Sequence, residues 1–177
     1  MQNYFDLFNL PHQFTIDAQL LDLNYRKLQT AVHPDQFVTA TANERMQSMQ
    51  LATTANEAYQ TLKNPTARAR YMLQLQGIDS LENSNTAMPM DFLMLQMEWR
   101  ETMEDAKNAH DIDALEALLS EMQQSTKTMQ REVGNALEHS PDEKYLSLAT
   151  ELVRKLSFID KIQADVKQVI TKLETTV

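Results

Sequence analysis

Two glycines, Gly77 and Gly134, and five prolines are all that punctuate a chain of 177 residues rich in Leu, Met, Ala, Gln and Glu. Tight hairpins need positions that tolerate positive φ, which glycine supplies with least strain, so a chain this poor in glycine is left with helix almost everywhere. The expected class is all-α. The absence of cysteine removes disulfides, thiolate metal sites and a cysteine nucleophile, so any link to metal chemistry has to run through a partner.

The length suits one or two small domains with enough apolar side chains for a core. No apolar run approaches membrane-spanning length, and Met1-Gln2-Asn3-Tyr4 lacks the basic start and apolar core of a secretory signal, so a cytoplasmic protein with no membrane partner is expected. Charge is divided unevenly. Residues 1–76 carry six basic and six acidic groups, and residues 77–177 carry ten and nineteen, so the net charge of -9 belongs to the second part. Such a surface repels phosphate backbones and argues for a basic protein partner rather than nucleic acid. The charge step falls at Gly77, where a boundary is expected.

Periodicity and punctuation divide the first part into four helices. A short helix over about Tyr4 to Asn9 is stopped by Pro11. A second, from about Asp17, places Leu20, Leu21, Asn24, Tyr25, Leu28, Ala31 and Val32 on one stripe and ends at Pro34. Thr41 and Glu44 form a capping-box pattern that opens a third, with Met49, Ala52, Ala55, Tyr59 and Leu62 at helical spacing. Pro65 fits the first turn of a fourth and Gly77 its carboxyl end. A linker over residues 77–88 precedes three longer helices, from about Pro89 to Ala109, Asp111 to Leu137, and Ser140 to Leu173. The last is expected to open with a capping box at Ser140-Pro141-Asp142-Glu143. Ile112, Leu115, Leu119, Met122, Met129, Val133 and Leu137, with Leu148, Leu152, Ile159, Val166, Ile170 and Leu173, make seams suited to antiparallel packing.

His33-Pro34-Asp35 lies between the second and third helices. Proline fixes its own φ and biases His33 away from helical geometry, so the chain leaves the helix there and displays a loop. At its tip Asp35 is a carboxylate able to accept a charge-assisted hydrogen bond from an arginine of another protein, and His33 offers a ring that stacks and donates. The alternative is an ordinary turn, since average composition yields this tripeptide in roughly one chain of this size in a hundred.

The order Tyr4-Phe5-Asp6-Leu7-Phe8 with Leu10-Pro11, then the loop, then Asn56-Glu57-Ala58-Tyr59-Gln60-Thr61-Leu62, then Pro65 and Arg68 resembles a J-domain across residues 1–76. More narrowly, the opening Tyr-Phe-x-Leu-Phe-x-Leu-Pro and the ending Ala69-Arg70-Tyr71-Met72-Leu73 are similar to the HscB family, the J-type co-chaperones of iron-sulfur cluster assembly. That resemblance implies that His33, Pro34 and Asp35 engage a dedicated DnaK-class (HscA-type) chaperone ATPase, with Arg26 and Lys27 meeting its acidic surface. The sequence departs from the family pattern at Val32, where an aromatic is usual, at Gln36, where a lysine is usual, and at Asn9, where a glycine is usual. Loss of the lysine is expected to weaken long-range attraction, leaving more of it to Arg26 and Lys27.

The segment from Asp91 to Glu101 is apolar on too many sides for a helix that buries one face. At 100° per residue, Phe92, Leu95, Trp99, Met103 and Ala106 share one side, and Leu93, Met94 and Met97 point roughly the other way, bordered by Glu98, Glu101, Glu104 and Asp105. An apolar centre with an acidic border suits docking to a basic protein. A thicker bundle that buries the methionines is the alternative. The family resemblance implies docking of the iron-sulfur scaffold protein (IscU type), at Leu93, Met94, Met97, Glu98, Glu101 and Asp105, with Phe158 as a further contact. Plain core packing is the other reading of Phe158.

Enzymatic motifs are missing. His12, His33, His110 and His139 are scattered, no Glu-x-x-His pair can build a helical di-iron site, and neither a phosphate-cradling glycine loop nor a Gly-x-Ser-x-Gly elbow occurs. The expectation is a co-chaperone rather than an enzyme, with no bound cofactor or metal. A general co-chaperone for unfolded clients and a helical structural adaptor are the alternatives.

Overall fold

A computed structural model describes residues 3–80 and 88–175. Among the described residues the regular structure is seven α-helices and one 3₁₀ turn, with no strand. The protein is all-α, with two compact units, Met1–Met72 and Leu73–Val177.

In the first unit, α1 (Tyr4–Leu7) is closed by a reciprocal cap: the Asp6 amide donates to Asn3 Oδ1 at 3.0 Å and the Asn3 amide to Asp6 Oδ2 at 3.3 Å. Asn9 then takes a left-handed φ of 52°, a conformation that asparagine tolerates better than most residues, which explains how it serves where the family pattern has glycine. α2 (Ala18–Ala31) begins at Asp17, whose carboxylate accepts from the amides of Gln19 and Leu20 at 2.9 and 3.0 Å. A 3₁₀ turn, Pro34–Phe37, leads to α3 (Ala42–Lys63), whose Thr41/Glu44 capping box forms as the spacing predicts. α4 runs Pro65–Leu75.

Phe5, Phe8, Leu10, Leu21, Ala55, Ala58 and Leu62 make this unit's core. The small side chains of Ala55 and Ala58 let α1 and α2 lie close on α3, and Tyr25 stacks on Tyr59 with ring centroids 4.0 Å apart. Leu20 and Met49, expected on buried stripes, are exposed; the buried face of α3 is Ser48, Ala55, Ala58 and Leu62, and Met49 is turned a further 100° from Ser48. Arg68 is buried instead, donating from Nη1 to the Leu62 carbonyl at 2.6 Å with its guanidinium 4.8 Å from the Phe14 ring; burial brings its pKa down to about 10.

α4 continues unbroken past Met72, so the two units divide inside it rather than at Gly77. Gly77, at φ 78°, ends it: its amide donates to the Gln74 carbonyl and the amide of Ile78 to that of Leu73. The chain then reaches Ser80, whose carbonyl accepts from Arg154 Nε of the same unit at 2.8 Å.

That unit is built on α5 (Met90–Ala109), α6 (Ile112–Glu138) and α7 (Glu143–Thr175). Successive helices reverse direction at short turns, and His110 takes a left-handed φ of 56° so that Asp111 can cap α6 through the Ala114 amide. Phe92, Trp99, Met103 and Ala106 of α5 pack with Leu115, Leu118 and Met122 of α6 and Ile159, Ile162 and Val166 of α7. Leu148, expected in the seam, is exposed. The capping box expected at Ser140 does not form. The amide of Asp142 donates to the His139 carbonyl, closing a turn after α6, and α7 starts one residue later with Asp142 accepting from the Lys144 amide. Among the described residues no helix is long and apolar enough to cross a membrane.

Candidate functional site

The His33-Pro34-Asp35 corner is held from below. Val32 is buried, and its carbonyl accepts from the buried Ser48 hydroxyl of α3 at 2.7 Å. One residue later the chain is outside, with the side chains of His33 and Asp35 60 and 86% exposed. Pro34 opens the 3₁₀ turn, which closes through the Gln36 amide to the His33 carbonyl at 2.9 Å. The Asp35 amide donates to His33 Nδ1 at 3.3 Å, so in the neutral ring Nδ1 is an acceptor and Nε2 carries the proton. Asp35 Oδ2 lies 3.4 Å from the same nitrogen. Nε2–H is left for a partner.

A shallow depression beside the corner is lined by Arg26, Gln29, Thr30, His33, Asp35 and Gln36. Arg26 is therefore brought to the corner by helical geometry, two turns before His33, with Gln29 and Thr30 one turn before it. Lys27 is exposed on the same helix but does not line the depression. The region thus sets a cation, an imidazole and a carboxylate around one opening, an arrangement for directional recognition.

The second region is α5. Its inner face is fixed by Phe92, Trp99, Met103 and Ala106, and Trp99 Nε1–H donates to Glu121 Oε1 at 2.9 Å, which sets the rotation of the helix on α6. With that face inward, Leu93, Met94 and Met97 are exposed, as are Glu98, Glu101 and Asp105. The bundle does not thicken to cover the methionines. Glu104 pairs with Lys107 at 3.2 Å, whereas among the described residues no ion pair forms at Glu98, Glu101 or Asp105. The outer face is thus an apolar centre beside carboxylates with no ion pair among the described residues.

Comparison with known proteins bears on both regions. A family model described as the HSCB C-terminal oligomerisation domain matches residues 88–167. Over 173 residues, 98% of this chain and 97% of the relative, the sequence is 46% identical to the co-chaperone protein HscB homolog of Burkholderia multivorans. The chain belongs to the HscB co-chaperone family. Among solved structures, chaperone HscB from Vibrio cholerae superimposes with a TM-score of 0.83 at 38% identity, covering 97% of this chain and 99% of that one. The human co-chaperone protein HscB gives 0.86 at 28% identity, covering 95% and 82%.

Phe158 is 39% exposed on α7 with the Lys161 ammonium 5.8 Å from its ring, so it is neither wholly core nor wholly surface. α7 meets the start of α5 through Lys155, which pairs with Glu151 at 2.7 Å and sits 5.7 Å from the Phe92 ring. One residue of the outer α5 face escaped the sequence reading. Met90 is exposed and precedes Met94 and Met97 at i+4 and i+7, so the stripe starts a turn earlier; that spacing was the available signal. Among the described residues no group of three or more His, Asp or Glu is placed to hold a metal ion.

Proposed function

We propose that this protein is a cytoplasmic co-chaperone of iron-sulfur cluster assembly that works through two separate surfaces. Residues 1–76 act as a J-domain and residues 89–177 as the scaffold-binding bundle; of the linker expected over residues 77–88, residues 81–87 lie outside the described residues. The His33-Pro34-Asp35 corner engages the ATPase of a DnaK/HscA-type chaperone: Asp35 accepts from an arginine of that chaperone, His33 Nε2–H donates, and Arg26 with Lys27 steers the encounter. Gln36 adds no charge, so attraction at long range is weaker than with lysine there. The outer face of α5, with Leu93, Met94, Met97, Glu98, Glu101 and Asp105, and with Phe158 beside it, carries the iron-sulfur scaffold protein to the chaperone. No covalent step is made here; ATP is hydrolysed on the partner.

The observation that carries this reading is the pairing at the corner of a buried anchor, Val32 and Ser48, with an exposed imidazole and carboxylate. Membership of the HscB family supports the same assignment. It is tested by the steady-state ATPase of the chaperone. An Asp35→Ala variant is expected to lose stimulation by about tenfold to a hundredfold, the worth of a charge-assisted bond at an interface. Normal stimulation by that variant contradicts the assignment.

A further inference from the structure

The methionines of the second unit differ sharply in exposure, with Met88 and Met129 partly buried between the extremes. Met90, Met94 and Met97 line the outside of α5 at 71, 64 and 71% exposure, whereas Met103 on the same helix is 8% exposed and Met122, facing it on α6, is 0% exposed. With no cysteine in the chain, the thioether is the softest nucleophile it offers to an oxidant. The three exposed sulfurs are also the apolar centre of the face assigned to the scaffold.

We propose that Met90, Met94 and Met97 form a modification site for hydroperoxides, and that their conversion to the sulfoxide releases the scaffold protein; this rests on the docking role proposed above for α5. In each event the sulfur attacks one peroxide oxygen, an S–O bond forms and the O–O bond breaks. The proton of the transferred oxygen ends on the departing hydroxide or alkoxide, giving water from hydrogen peroxide or an alcohol from an organic hydroperoxide, so sulfur loses two electrons and the peroxide gains them. A sulfoxide is a strong acceptor with no donor facing it in an apolar contact, so docking would bury it unsatisfied. The fold is untouched because these side chains project away from Phe92, Trp99, Met103 and Ala106, which hold the helix. Methionine sulfoxide reductases return the thioether, which makes the change reversible.

The test treats the full chain with hydrogen peroxide, locates sulfoxides by peptide mass spectrometry and measures scaffold affinity by calorimetry. Met46 and Met49 on α3 are exposed as well, so a Met90→Leu/Met94→Leu/Met97→Leu variant is carried alongside. The three α5 methionines are expected to oxidise before Met103 and Met122, with affinity falling about tenfold or more and returning after reductase treatment. The leucine variant, whatever its starting affinity, is expected to show the same value before and after the same treatment. Unchanged affinity in the oxidised protein overturns the proposal, as does equal loss in the leucine variant. Failure of the untreated protein to bind the scaffold contradicts the docking assignment itself, a result distinct from insensitivity to peroxide.

Discussion

The corner at His33 and the outer face of α5 are both exposed, and as the two recognition surfaces proposed above they are made in opposite ways. The corner is polar and small, and its geometry is set within four residues by a proline, a ring nitrogen and one buried hydrogen bond from α3. The face on α5 is broad and apolar, and nothing local shapes it. Its composition follows from rotation of the whole helix, fixed by Trp99 and Phe92 on the far side. A directional site is specified by turn chemistry and an area site by the packing opposite it, so the two should fail to different insults.

The largest effect is expected at Trp99. Replacing this buried indole by alanine leaves a cavity and removes the donor to Glu121, so urea unfolding should show a loss of about 3–5 kcal/mol, with scaffold binding falling because the outer face loses its orientation. If that variant bound the scaffold as before, the α5 face would not depend on the core behind it. Ser48→Ala should cost less, about 1–2 kcal/mol for the orphaned Val32 carbonyl, and should lower ATPase stimulation while scaffold affinity stays unchanged. Normal stimulation by a destabilised Ser48→Ala protein would mean that the corner needs no anchor.

The smallest effect concerns the cap of α3. Hydrogen bonds from the Thr41 amide and hydroxyl hold the Glu44 carboxyl below its ordinary value of 4.5. A carboxyl with a lowered folded pKa contributes stability that is present above its unfolded value and disappears as pH falls through the folded one. The stability difference between wild type and Glu44→Gln should therefore be small near neutrality and vanish at acid pH, as read by urea midpoints across that range. A difference that persists below the folded pKa would remove the charge from the account.

Much of this was legible beforehand wherever a residue acts on its immediate neighbours. The Thr41/Glu44 pair and Gly77 punctuate helices as their spacing predicts, and Asp17 and Asp111, where helices were expected to start, cap them by bonds spanning two or three residues. The two faces of α5 were legible because a single helix sorts Phe92 and Trp99 from Leu93, Met94 and Met97 by angle alone. The misplacements came where partners decide. Leu20, Met49 and Leu148 have the spacing of core residues but are exposed, and Arg68 is buried because a carbonyl and an aromatic ring await it. At Ser140 two local patterns competed, and a turn that uses the His139 carbonyl displaced the capping box.

The central claim is that the two surfaces act separately, and charge reversal on α5 addresses it most directly. Chaperone ATPase should be measured with a Glu98→Lys/Glu101→Lys variant, first without and then with the scaffold protein. Stimulation without scaffold is expected to match wild type, and the additional stimulation that the scaffold brings is expected to fall by about tenfold or more at low salt. Equal loss under both conditions would contradict the account.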